Sequence, residues 1–383
     1  MSPRDAAGST PAPLRVLVVM PLATPLGGGE QMLRQLLRLE RDRVEWTVVF
    51  LRDGPMVAET RALGIDTQVI EAGRFRQLPQ RLRAVRQIAA LARARHASLV
   101  LGWMAAGQAM AGVAALLARL PGAWFQVGTP RPDLLDRFAT LLPARGVLVL
   151  SKESGAAQAR LRPRRRQRLV YPGTSLAAFD PETLPAPAEL RRNFGLPETG
   201  PLIGMVGRLQ RWKGMHVLIA AMPEVRSRHP DAQAVIVGGV HETEPEYAAE
   251  LVLQVRGLLL EDAVRFAGFQ SNAPEWMQAM DVVVHASDHE PFGIVVIEAM
   301  ALGKPVVAGR EGGPAEIITD GVDGLLAPYG DASALAAAIC RFLDNPSLMT
   351  QCGTAARVRA ADFADENYAS EVVAALHSFV DAT

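Results

Sequence analysis

Short apolar runs alternate with helix-like stretches along the whole chain. Residues 15–20 read as a strand, Gly27, Gly28 and Gly29 as a turn, and residues 30–39 as an amphipathic helix. Residues 46–51 are strand-like and 58–63 helical, and the runs at 69–70, 99–101, 124–127 and 147–150 continue the strand series. A second series has strands at 202–206, 234–237, 264–266, 282–285 and 305–308, with helices such as 216–222 and 247–258 between them. This alternation implies parallel strands joined by crossover helices, the pattern of a doubly wound sheet. Prolines crowd the interval from Pro172 through Pro181, Pro185 and Pro187 to Pro197, which predicts an interdomain linker. The expected architecture is α/β, two similar halves with a cleft between them.

Composition narrows the picture. At about 150 residues per domain, 383 residues predict two or three domains. A hydrophobic content of 49% against 21% charged residues supports a large core and excludes wholesale disorder. Forty basic and forty acidic residues cancel, so no nucleic-acid partner is expected, since a polyanion wants a basic face. Cys340 and Cys352 fit neither a metal spacing nor a disulfide framework, which points to a reducing, cytoplasmic setting. Residues 14–22 are apolar but too short and wrongly flanked for a secretory leader. Residues 97–118 carry no charge over near-bilayer length, yet they are mostly Ala and Gly. A strand at 98–102 followed by a buried helix at 105–119 accounts for them, and no transmembrane helix is expected. The first dozen residues, rich in Pro, Ala and Ser, read as a loose tail.

Three segments carry candidate chemistry. The first is 289–300, His-Glu-Pro-Phe-Gly-Ile-Val-Val-Ile-Glu-Ala-Met, directly after the strand at 282–285. It places Glu290 in a strand-to-helix loop and Glu298 about one turn into the helix. Loops at the carboxyl ends of such strands face the ligand crevice of open α/β sheets, and the free amides of a helix start can hold an anion or hydroxyl oxygens. Capping carboxylates are the bland reading, but Pro-Phe-Gly between them is not a capping pattern. The second segment, Gly207-Arg208-Leu209-Gln210-Arg211-Trp212-Lys213-Gly214, follows the strand at 202–206. A guanidinium and an ammonium on one loop suit a diphosphate, Arg gripping two oxygens and Lys acting as a point charge. A solvated basic turn is the alternative, against which stands the rarity of lysine: only Lys152, Lys213 and Lys304 occur among forty basic residues. The third, Gly27-Gly28-Gly29-Glu30, lets backbone approach a ligand at the end of the first strand, although a tight turn needs the same glycines.

These segments resemble the retaining nucleotide-sugar glycosyltransferases of family four, which have the GT-B fold. The resemblance rests on the 207–214 loop and on Glu290 and Glu298, eight positions apart. It extends to Gly312-Gly313-Pro314-Ala315-Glu316-Ile317-Ile318 with Gly321, Gly324, Leu325 and Leu326 after it. It is dense over 204–331 and sparser before, where Gly27–Glu30 and the stretch from Tyr171-Pro172-Gly173 to Phe179 still fit. The implied fold is GT-B: two Rossmann-like doubly wound domains facing a central cleft. Residues 1–180 would form an acceptor-binding domain, 181–365 a nucleotide-sugar donor-binding domain, and 366–383 a helix crossing back to the N-terminal domain. The implied activity is sugar transfer from a nucleotide-diphosphate sugar to a glycan, lipid-linked or small-molecule acceptor, with retention of anomeric configuration. On this resemblance Arg208 and Lys213 neutralise the departing diphosphate and Glu290 lies beside the donor sugar. Glu298 accepts the ribose hydroxyls, the amides of Phe292, Gly293 and Ile294 hold sugar or phosphate oxygens, and Gly28 and Gly207 approach the diphosphate. Phe269 and Gln270 lie near the base. No cofactor and no metal are implied, since cationic side chains and helix termini do that work.

One departure concerns the acceptor side. Many relatives place a histidine just after a middle strand of the N-terminal domain, where this chain reads Leu101-Gly102-Trp103-Met104-Ala105. His96 precedes the strand and reads as a helix-end residue. Gln126, after the next strand, is the acceptor-side polar candidate, and His289 reads either as a pocket residue or a structural one. Two arginine groups, 81, 83, 86, 93, 95 and 162, 164, 165, 166, 168, are either solvated faces or a basic surface for peripheral attachment to the inner membrane face. A same-fold epimerase or hydrolase and a non-catalytic sugar-nucleotide-binding subunit are the competing functions. A dinucleotide dehydrogenase is disfavoured, because no Gly-x-Gly-x-x-Gly follows the first strand.

Overall fold

The computed structural model describes residues 13–24, 27–73, 76–162 and 164–381. The expected tail over the first dozen residues lies outside this set. The chain forms two compact units, one of residues 1–149, 155–170 and 369–383, the other of 150–154 and 171–368.

The first unit holds a seven-stranded sheet: β1 (Leu14–Met20), β2 (Val44–Phe50), β3 (Asp66–Val69), β4 (Leu99–Trp103), β5 (Gly122–Gln126), β6 (Gly146–Val149) and β7 (Gln167–Leu169). Their order is β3-β2-β1-β4-β5-β6-β7, every pair parallel. The central strands are apolar on both faces because helices cover both, as a parallel sheet requires. The uncharged 97–118 stretch becomes β4 and the helix Met104–Ala118, whose Gly107 lies against the Val19 carbonyl of β1 and whose Gly112 lies against Leu142. Among the described residues, no helix is long and apolar enough to cross a membrane.

The second unit holds β8 (Leu202–Val206), β9 (Gln233–Val237), β10 (Val264–Gly268), β11 (Val282–His285), β12 (Val306–Gly309) and β13 (Leu325–Ala327). Their order is β10-β9-β8-β11-β12-β13, again all parallel. The order reverses between β8 and β11, so the loops leaving these two strands flank a topological switch point, where doubly wound sheets bind ligands.

Two expectations need correction. The Pro-rich interval is not a free linker. It contains the helix Pro187–Asn193, whose Arg191 binds Asp281 at 2.6 Å and donates to the Ala279 carbonyl at 2.9 Å. Phe194 stacks on Trp276 with ring centroids 4.2 Å apart. Proline content signalled turns, but burial of these side chains fixes the interval on the second unit. Residues 171–180, assigned by sequence to the N-terminal half, also group there: Thr174 bridges Ala364, and Asp180 pairs with Arg357 at 2.9 Å. The last helix, Asp365–Val380, starts in the second unit, and its residues from Ala369 group with the first. There Arg145 donates to the Val380 carbonyl at 2.8 Å.

Candidate functional site

The site is built on the second unit from the loops that follow β8, β9 and β11. After β8 the chain bends at Gly207, Leu209 bridges Val240 and the Gln210 amide donates to the Arg208 carbonyl at 2.8 Å; Arg211–Lys213 then makes one 3-10 turn, and Gly214 at φ +80° opens the helix Met215–Arg228. A side chain at Gly214 would overlap the Ala286 carbonyl, so glycine there lets this loop lie against the one after β11. The Asp288 amide donates to the Trp212 carbonyl at 2.7 Å and joins the two loops.

That junction brings Lys213 to Glu290. The ammonium lies 2.5 Å from Glu290 Oε2 and 4.1 Å from the centroid of the Trp212 ring. Both side chains are nearly buried, 14% and 12% exposed. Burial by itself pushes the Glu290 carboxyl up, but the Lys213 charge and the His285 hydrogen bond outweigh it and hold the group well below the usual carboxylate range. Glu290 is therefore an anion. His285 Nε2, at 3.2 Å, faces an acceptor and so carries a proton. Ser287 Oγ sits 3.2 Å from the same nitrogen, and its hydroxyl is directed to the Lys213 carbonyl at 3.5 Å. His285 Nδ1 is buried and has no hydrogen-bond partner among the described residues.

Arg208 stands on the same loop as Lys213. Its Nη1 lies 3.2 Å from His241 Nε2. Arginine can only donate, so this nitrogen faces a donor; His241 Nδ1 in turn lies 2.8 Å from Thr243 Oγ1 and 3.3 Å from the Thr243 amide. The 240–247 segment supports the loop further: Glu244 accepts from the Arg211 amide at 2.8 Å, and Arg211 lies over the Tyr247 ring.

The 289–294 loop is held from below by a second glycine. The Gly313 amide donates to the Glu290 carbonyl at 2.7 Å, and a Cβ on Gly313 would overlap the Phe292 backbone. The Phe292 ring is buried against Tyr171 and Phe363, at 5.6 and 5.7 Å between centroids, so this residue offers only its backbone. Gly293, at φ +111°, is the N-cap of the helix Ile294–Ala301, and Glu298 lies buried one turn in.

Thus Gly207, Arg208, Lys213, Glu290, Phe292, Gly293, Ile294 and Glu298 lie on the loops and helix at the β8–β11 switch point. Phe269 and Gln270 follow the edge strand β10. Phe269 is 72% exposed, while Gln270 turns back to the Ala267 carbonyl at 2.7 Å. Gly28 belongs to the first unit, where it opens the helix Gly28–Leu39 beyond the end of β1. Gln126 is buried; its amide nitrogen donates to Asp136 at 3.3 Å, and its Oε1 has no hydrogen-bond partner among the described residues. His289 is exposed and bonded to its neighbour Asp288, which raises its pKa. His96 sits past the end of the helix Leu78–Ala94 at φ +49°. His241, His285 and Ser287 escaped the sequence reading. The accessible signal was a histidine closing the apolar strand β11. Among the described residues no group of His, Cys, Asp and Glu is arranged to hold a metal ion.

Comparison with known proteins bears directly on these loops. Residues 188–359 match the family model described as glycosyl transferases group 1. A D-inositol 3-phosphate glycosyltransferase of Corynebacterium urealyticum is 36% identical over 211 residues, 54% of this chain and 49% of that protein. One from Salinispora arenicola is 34% identical over 207 residues, covering 52% and 46%. The match thus spans about half the length of these relatives. Among solved structures, Anabaena Alr3699/HepE in complex with UDP superposes with a TM-score of 0.86 at 27% identity, over 95% of this chain and all of that one. Sucrose-phosphate synthase from Thermosynechococcus elongatus gives a TM-score of 0.81 at 25% identity, over 97% of this chain and all of that one. The fold is GT-B.

Proposed function

We propose that this chain, whose residues 188–359 match the model of the group 1 glycosyl transferases, moves a sugar from a nucleotide-diphosphate donor to an acceptor with retention of configuration. The observation that carries the reading is the nearly buried Lys213–Glu290 pair, with Arg208 on the same loop as Lys213, at the switch point of a doubly wound sheet. Two fixed cations there can meet the charge that grows on a departing diphosphate, in a site too buried for water to screen it fully. Carboxylates at Glu290 and Glu298 offer acceptors for hydroxyls of the donor sugar and of the ribose. The amides of Phe292, Gly293 and Ile294, at a helix start, suit sugar or phosphate oxygens. Phe269 presents an exposed ring for a base. The diphosphate charge is met by side chains, so the reading needs neither metal nor cofactor.

In this reading Lys213 exchanges partners. The resting ammonium is held by Glu290, and a bound diphosphate competes for it, leaving Glu290 on His285 and free to accept from the donor sugar. The acceptor is a glycan, a lipid-linked sugar or a small molecule. A cytoplasmic location, peripheral on the inner membrane face for a lipid-linked acceptor, completes the proposal.

Uridine diphosphate is the first probe, because the Anabaena structures hold it. Calorimetric binding of UDP, GDP and ADP, followed by hydrolysis of their sugar conjugates, tests the reading. Binding of one diphosphate, lost in Arg208→Ala and Lys213→Ala, is the expected result. Binding of none, or binding indifferent to both substitutions, overturns it. Transfer to an added acceptor with release of the diphosphate separates a transferase from a hydrolase or a binding subunit.

A further inference from the structure

The first unit carries a second cationic site, away from the carboxyl ends of its strands. Helices return to the sheet through residues 119–121, 143–145, and 162 with 164–166, which precede β5, β6 and β7 at their amino ends. Because these strands are neighbours, the three segments converge on one edge of the sheet. They line an open pocket of about 720 Å³ with Arg119, Arg145, Arg162, Arg164, Arg165 and Arg166, and no carboxylate is among its lining residues. Gly28 lies at the opposite, carboxyl edge of the same sheet.

Part of this cluster has a structural explanation. Arg165 donates to the carbonyls of Thr140, Leu142 and Ala144 at 2.9, 2.9 and 2.6 Å, and Arg162 to Thr140 at 3.0 Å. Arg145 and Arg166 donate to the carbonyls of Val380 and Ser378 at 2.8 and 3.2 Å. These bonds cap the carboxyl ends of the helices Leu134–Leu141 and Asp365–Val380. Two helix ends supply about half a negative charge each, against six guanidinium charges. No ion pair joins these six arginines to a carboxylate among the described residues, and Arg119 and Arg164 are exposed. Burial, then the charge of Arg162, lowers the Arg165 pKa, as expected of like charges packed without a counterion. The carbonyls fix the guanidiniums in place and leave N–H groups to spare.

We propose that this pocket binds a phosphorylated anion, with forked guanidinium N–H pairs on phosphate oxygens. The site stands apart from sugar transfer and does not rest on that reading. The same chemistry is offered by a soluble polyphosphate and by an anionic lipid headgroup. The helix Leu134–Leu141 separates the two sources: Leu134, Phe138 and Leu141, spaced four and three apart, are 88%, 42% and 72% exposed, and Leu141 lines the pocket. A soluble anion has no use for that stripe.

The test measures binding of inorganic tripolyphosphate, and of vesicles of phosphatidylglycerol mixed with phosphatidylcholine, to the full chain at 0.15 M salt. Arg119→Gln/Arg164→Gln removes two charges and none of the side-chain bonds to helix carbonyls, since Arg119 caps the helix Met104–Ala118 through its backbone amide alone, and it is expected to weaken tripolyphosphate binding at least tenfold. The control Arg83→Gln/Arg86→Gln, with the same change in net charge on the helix Leu78–Ala94, is expected to bind as the parent does. Leu134→Gln/Leu141→Gln assigns the source: lost vesicle binding with tripolyphosphate binding intact means a lipid headgroup, and no change in either means a soluble phosphate. An unmodified chain that binds neither probe overturns the proposal. So do an arginine variant that binds normally and a control that loses as much.

Discussion

Lys213 and Glu290, separated by 77 positions in the chain, meet at 2.5 Å in a nearly buried pair, with the Trp212 ring beside the ammonium and His285 behind the carboxylate. Neither charge has much water to turn to, so each depends on the other. Removing one partner of a fully buried pair typically costs about 3–5 kcal/mol, whereas replacing both by apolar groups is often neutral. Glu290→Gln should therefore destabilise the protein, by no more than the low end of that range, since the lysine is 14% exposed and can reach solvent. Lys213→Met/Glu290→Leu should recover most of the loss and yet bind no nucleoside diphosphate. Urea denaturation with diphosphate calorimetry checks both; a double variant less stable than Glu290→Gln contradicts the pairing.

The same carboxylate gives a pH signature. Its folded pKa lies below its ordinary 4.5, so its contribution to stability is full above that value and declines as pH falls toward the folded value. The stability gap between the parent and Glu290→Gln should hold constant from pH 7 to about 5 and shrink below. Melting temperatures from pH 7 to 3 measure it. A gap that widens on acidification refutes the assignment.

Arg208 and His241 should act as a unit. His241→Ala removes the acceptor at 3.2 Å and frees the guanidinium to wander, while His241→Gln keeps an acceptor in reach. Diphosphate affinity should fall about tenfold or less in the first, since both residues are partly solvated, and mostly return in the second. In an Arg208→Ala background His241→Ala should have no further effect. Additive losses would show that His241 acts elsewhere.

Glu298 distinguishes a ribose acceptor from a structural carboxylate. Glu298→Gln should weaken binding of the donor and hardly change that of its 2′,3′-dideoxy analogue. Equal losses for both would make it structural.

Gly313 is a backbone contact that no side chain can share. Gly313→Ala should lower the melting temperature and diphosphate affinity together, because the new methyl collides with Phe292 backbone rather than with a side chain that can turn away. Gly330→Ala, where nothing lies within 4 Å but φ is +76°, should cost stability alone, about 1 kcal/mol. Loss of affinity in both variants would point to global loosening.

Much of this protein was legible along the chain. Strands β8 and β11 lie where the apolar runs end, because a strand buried on both faces must be continuously apolar and its borders show as polar residues or turns. Arg208, Lys213 and Glu290 stood out because they lie on the loops that leave these strands, and Glu298 because it stands eight positions after Glu290 on the helix that follows. The short edge strands β7 and β13 were missed, since three residues carry no periodicity. The proline-rich interval misled for a related reason: proline reports a turn, and whether that turn floats or packs depends on Arg191 finding Asp281, 90 positions away, and Phe194 finding Trp276. Pairing is likewise invisible in one dimension. That Lys213 rests on Glu290 rather than facing solvent, that His241 holds Arg208, that the Gln126 amide donates to Asp136, and that three arginine-bearing segments share one edge of a sheet all follow from strand order. Local sequence determines which strands form, through burial and periodicity; which of them become neighbours is decided only when the whole sheet is assembled.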